Sequence, residues 1–190
     1  LAAGGIVSRS HTVGAYQLLS IDPSAEDSLL QSTDFGVIAT SGNPFVLTSR
    51  TLWPGSATDW YEGAGTVAAT AAGVKWAIGG GLAVGAANTE MEIAVTNVTP
   101  RDGSIAVALV FDDGTSIQKT FGAAALTRGT IKIAQEFPEA ASRRFSATVT
   151  AAGVAGAAAP DIVVEHSTYT SPNGTPWAGG SRSLATLITP

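Results

Sequence analysis

The chain has 190 residues, a formal net charge of −5, 13% charged and 45% hydrophobic residues, and no cysteine. That balance is too apolar for a disordered chain, and ten lysines and arginines scattered along it present no basic face to nucleic acid. Without cysteine there are no disulfides or thiolate metal sites, and two histidines leave little for another metal centre.

The chain opens on Leu1 rather than Met, as a processed product or an excised fragment would. "GIVSRS" and "AYQLLSI" read as strands. In "DPSAEDSLLQS", Asp22 ahead of Pro23 marks a helix start. "FGVIAT" and "FVLTSRTLW" read as strands again. Residues 63–88 are apolar, but they are dominated by Gly and Ala and carry Lys75, so they do not read as a membrane span. "VKWAI" opens the next strand.

From Glu90 the apolar residues alternate. "EMEIAVTN" sends Met91, Ile93 and Val95 to one face, and "IAVALVF" does the same with Ile105, Val107, Leu109 and Phe111. "TPRDGS" between them reads as a turn, and Asp113-Gly114 marks a tight hairpin into "SIQKTF", which makes a three-strand meander. "GTIKIA", "FSATVT", "IVVEHSTY" and "SLATLI" complete the strands, and "FPEAASRRF" holds one helical turn begun by Pro138. Short strands spaced by Gly and Pro turns predict an all-β fold built as an antiparallel sandwich.

The chain also repeats itself. Gly14, Tyr16, Leu18 and Pro23 can be laid on Gly129, Ile131, Ile133 and Pro138; Phe35, Val37 and Ile38 on Phe145, Ala147 and Thr148. Pro44, Val46, Arg50 and Trp53 fall on Pro160, Ile162, His166 and Tyr169; Trp60, Gly63, Val67 and Ala68 fall on Trp177, Gly180, Leu184 and Ala185. The offset changes only in loops or the helical turn, where insertions are absorbed. Nothing before Gly5 matches the strands at Glu90–Val95 and Ile105–Phe111. The expectation is a partial module over 1–73, the C-terminal half of a repeat, and a complete module over 74–190.

These residues resemble a repeat of large secreted or surface-displayed bacterial proteins. In it a V-V-x-E-R-x-x-Y-like strand precedes W-x-x-G, and the next module opens on an aromatic-rich strand ending in Gly. Here Glu165, Tyr169, Trp177 and Gly180 match, as do "VKWAIGGG" and the hairpin "VFDDGTSIQKTF". Arg of the pattern is His166, and Ser49 stands where the first copy would carry Glu. The resemblance implies Ig-like antiparallel β-sandwich modules in tandem, an extracellular or surface location and no catalysis.

Candidate chemistry is thin. His11 and His166 have no G-x-S-x-G elbow near them. Asp59, Glu62 and Glu165 are candidate carboxylates for glycoside hydrolysis. "GAGTVA" lacks the leading strand of a dinucleotide site. Asp112-Asp113 suits calcium or a hairpin turn, and Asn97 and Asn173 sit in glycosylation patterns. Trp53, Trp60 and Tyr61 crowd one region, echoed by Tyr169 and Trp177. Such rings either stack on sugars or, for Trp60 and Trp177, plug each module.

The leading expectation is a non-catalytic structural or adhesive module. It would act through self-association or neighbouring modules, by strand exchange or edge pairing, with no metal, cofactor, nucleic acid or membrane span. A carbohydrate-binding module using Trp53, Trp60, Tyr61, Tyr169 and Trp177 is the alternative.

Overall fold

The computed structural model describes residues 1–2, 4–54, 60–82, 89–170 and 179–189, and at 52–54 and 60–62 it describes the backbone. The protein is all-β, with antiparallel sheets. β1 (Thr48–Pro54) and β2 (Trp60–Val67) form a two-stranded ribbon. The remaining strands are β3 (Lys75–Leu82), β4 (Thr89–Asn97), β5 (Gly103–Phe111), β6 (Ser116–Ala123), β7 (Arg128–Lys132), β8 (Arg144–Gly153), β9 (Ile162–Thr170), β10 (Gly179–Leu184) and β11 (Thr186–Leu187). They make a four-stranded sheet, β10-β9-β4-β7, and a five-stranded sheet, β11-β3-β8-β5-β6.

The two sheets enclose one apolar core, a β-sandwich in architecture. Alternate residues of β4, β5, β8 and β9 point into it, and Ile93, Val107, Leu109, Val149, Ile162 and Val164 are fully shielded. Strict alternation is what burial on one face requires. Trp76 closes one end, its indole Nε1 donating to the Ile162 carbonyl at 2.9 Å and the Gly73 carbonyl at 3.1 Å. The apolar run over 63–88 is strand in β2 and β3, with coil, bends and an isolated bridge at Gly73 between them, and no helix among the described residues is long and apolar enough to cross a membrane.

The three-strand meander is corrected. β5 pairs with β6 and β8, whereas β4 pairs with β7 and β9, so "TPRDGS" carries the chain from one sheet to the other. Asn97 fastens this crossing. Its buried Nδ2 donates to the carbonyls of Arg101, Ala123 and Ala124, and its Oδ1 accepts from the Thr99 amide and hydroxyl. Period-two patterning fixes a strand's face, and it does not name the partner.

The strands expected at "GIVSRS", "AYQLLSI" and "FGVIAT" are also corrected: residues 4–47 contain no strand. The helix start is as read, with α1 at Pro23–Glu26 capped by the Asp22 carboxylate. A 3₁₀ turn follows at Ser28–Leu30, and α2 (Ile133–Glu136) precedes a 3₁₀ turn at Pro138–Ala140.

Backbone details recur at a fixed spacing of 110 residues. Gly4 and Gly114 take φ of 84° and 83°, Tyr16 and Leu126 of 60° and 54°, Ser32 and Ser142 of 56° and 59°. Outside glycine such angles are uncommon. Hydrogen bonds recur likewise: Gly4 to Leu1 and Gly114 to Phe111, Asp27 to Pro23 and Phe137 to Ile133, Leu30 to Asp27 and Ala140 to Phe137, Gln31 to Ser28 and Ala141 to Pro138. The first block of the sequence correspondence therefore moves by five residues, setting Pro23 against Ile133 and not Pro138.

Beyond residue 40 the spacing becomes 117. The Ala68 amide donates to the Leu47 carbonyl as Ala185 does to Val164, both at 2.9 Å. Thr48 opposes Val67 as Glu165 opposes Leu184, and Arg50 opposes Gly65 as Ser167 opposes Arg182. The counterpart of Tyr169 is then Leu52, and not Trp53.

Candidate functional site

The outer face of the four-stranded sheet is where the first third of the chain meets the sandwich. β9 turns Val163, Glu165, Ser167 and Tyr169 outward, because Ile162 and Val164 between them face the core. Register sets Arg182 of β10 beside Ser167. The Arg182 guanidinium reaches Glu165 Oε2 at 2.7 Å, and both side chains are largely covered. Its other amino group donates to Thr51 Oγ1 of β1 at 3.3 Å, so the ribbon is fastened at this edge.

At the opposite edge Asp34 lies against β7. Its Oδ2 accepts from Thr130 Oγ1 at 2.7 Å and from Arg128 Nη1 at 2.9 Å. The Thr130 hydrogen bond, aided by the Arg128 charge, holds the Asp34 carboxyl below its usual pKa. A Cβ at Gly36 would lie 2.7 Å from the Thr96 methyl, so the backbone there sits directly on β4. Between these anchors Glu92 is half-buried, and burial raises its pKa against the opposing pull of Lys132, 3.8 Å away.

The expected ligand residues are partly located by this geometry. Trp53 and Trp60 lie on facing strands of the ribbon, Trp53 opposite Glu62 and Trp60 opposite Pro54, with Tyr61 next along β2. Tyr169 is half-buried on β9, opposite Gly180 and Glu90. Trp177 lies outside the described residues, as do Asp59 and Asn173. The tryptophan seen to plug the sandwich is Trp76, which sequence reading took only as a strand opening. Its signal was present: it sits in strict alternation with Ile78.

Other candidates resolve into structure. Glu165 is occupied by Arg182. Asn97 is buried and fully bonded, which removes it as a glycan acceptor. Asp113 is a turn residue: its Oδ1 accepts from the Thr115 amide and hydroxyl, which lowers its pKa, and its Oδ2 meets Arg143 at 2.7 Å. No group of three or more metal-binding side chains occurs among the described residues. His166 faces the core from β9, and desolvation lowers its pKa. His11 lies 3.8 Å from Glu26 on the first segment.

No protein-family model and no curated protein matches the chain. The chain is similar in fold to a protein of Thermotoga maritima solved as "Crystal Structure of Thermotoga maritima 1070", with a TM-score of 0.52 at 8% identity. The match covers 62% of this chain and 96% of that one. A whole protein thus corresponds to less than two thirds of this chain, and at that identity the likeness concerns fold alone.

Proposed function

We propose that the chain belongs to a tandem array of Ig-like β-sandwich modules, partial over 1–73 and complete over 74–190. In this reading it serves as a non-catalytic structural or adhesive part of a bacterial extracellular or surface assembly. The observation that carries the reading is the recurrence of turns, caps and ribbon register at spacings of 110 and 117. A sandwich plan written twice supplies spacing and lateral surface, as stacked repeats do. The secreted setting rests on the strand pattern around Glu165 and Tyr169. Contacts between modules, by edge pairing or strand exchange, are the work assigned to it.

Light scattering across a concentration series tests the contact role. Growth in mass that disappears when 1–73 is removed is the expected result. A monomer at all concentrations that hydrolyses glycosides would refute it.

A carbohydrate-binding reading draws on one arrangement: Trp53, Trp60 and Tyr61 on the ribbon, with Tyr169 on the strand beyond β10. Saturable glycan binding lost in Trp53→Ala and Tyr169→Ala would favour it over the structural role.

A further inference from the structure

The second copy states what the first copy lacks. In the sandwich β6 pairs with β5, β7 with β4, β8 with β3 and β5, and β9 with β4 and β10. Every pairing but one needs β3, β4 or β5; the exception is β9 with β10. Its counterpart, β1 with β2, is the one strand pair formed over residues 1–73 among those described. Residues 6–13, 18–22 and 34–40 stand where β6, β7 and β8 stand in the second copy, and they hold no strand.

Side chains agree with this account. Val13 is 52% exposed where Ala123 is 7%, Ile21 is 45% where Ile131 is 5%, and Val37 is 61% where Ala147 is 1%. The buried members of these pairs lie opposite β5, β4 and β3: Ala123 faces Gly103, Ile131 faces Ile93, and Ala147 faces Leu109 and Ile78. One long-range contact of the module survives in both copies. Arg9 donates to the Glu26 carbonyl as Lys119 donates to that of Glu136. Where Lys119 lies over the Phe137 ring, Arg9 instead pairs with Asp27 at 2.7 Å.

We propose that residues 6–40 are a receptor for a three-strand segment of the β3–β5 kind. Its strands carry period-two apolar faces like those of Ile93 and Val107. On binding, residues 6–13 pair as β6 does, 18–22 as β7 and 34–40 as β8. The inference rests on the tandem reading and not on the extracellular role.

The test fuses a second copy of residues 73–110 directly ahead of Leu1 of the full chain. Amide exchange over residues 18–40 slows by about 100-fold or more if a cooperative sheet forms. Ile21→Asp in the fused chain returns it to the starting rate, while the same change in the unfused chain does nothing. A soluble fusion with unchanged exchange, or protection that survives Ile21→Asp, overturns the proposal. So does an unfused dimer that already protects 18–40, which would make a second copy the occupant. Glycan titrations leave this result untouched, as does growth in mass without protection of 18–40.

Discussion

Residues 1–40 and 111–150 share turns, helix C-cap bonds and left-handed residues, yet the described residues of one stretch hold no strand and lie largely exposed, while the other supplies strands to the core of a sandwich. The difference separates two layers of folding information. Turns such as those closed by Asp27 to Pro23 and Gln31 to Ser28 are made between neighbours in sequence, and they recur as Phe137 to Ile133 and Ala141 to Pro138. Strands are closed by distant partners, and where β3–β5 have no counterpart the same pattern yields no strand.

The contrast is tested most forcefully with one residue type at matched positions. Ile131→Ala is expected to cost about 2–5 kcal/mol, as for other buried isoleucines, measured by denaturant unfolding. Ile21→Ala, at the exposed position, should stay within about 0.5 kcal/mol. Equal costs would break the comparison.

Asn97→Ala comes next, with an expected loss of about 1–3 kcal/mol, because buried carbonyls at the sheet crossing lose their donor. Thermal melts check it. An Asn97→Asp variant that melts like the parent would show that the donor is dispensable.

Acid should loosen Asp34 from β7. The Asp34 pKa is lowered in the folded state, so its contribution is present above the ordinary carboxylate value of 3.8 and is lost as pH falls through the lowered one. Glu92 on the same face works in reverse. Its folded pKa is raised above 4.5 by burial, so protonation relieves that cost and its contribution favours the fold at lower pH. Asp34→Asn should change stability by under about 1 kcal/mol, since the carboxylate is more than half exposed. Thr130 amide exchange against pH reads the contact.

The smallest effect is local. His166 should titrate by NMR below 6.5, because burial disfavours its charge. The stability it contributes is present above the unfolded value and is lost as pH falls through the lowered one. A midpoint above 6.5 would move it from the core face to the solvent.

Much of the second half was legible from alternation: Met91, Ile93 and Val95 face inward as their spacing demands, and Asp113-Gly114 makes the hairpin. Which strand pairs with which was not, because "TPRDGS" has the composition of a hairpin turn while Asn97 anchors it as a crossing between sheets. The spacing of the recurring turns differs from that of the sequence correspondence. Side-chain likeness set Pro23 on Pro138, whereas backbone geometry sets Pro23 on Ile133, two first residues of matched helical turns. Of the site, Glu165 is legible without its partner, since Arg182 is seventeen positions away and only the β9–β10 register brings it near.

Amide hydrogen exchange on the unaltered chain tests the central claim most directly. The account predicts protected amides throughout β4, β5 and β8 and near-intrinsic exchange at 6–13, 18–22 and 34–40 in the monomer. Comparable protection of 34–40 and its counterpart 144–150 in that monomer would contradict it.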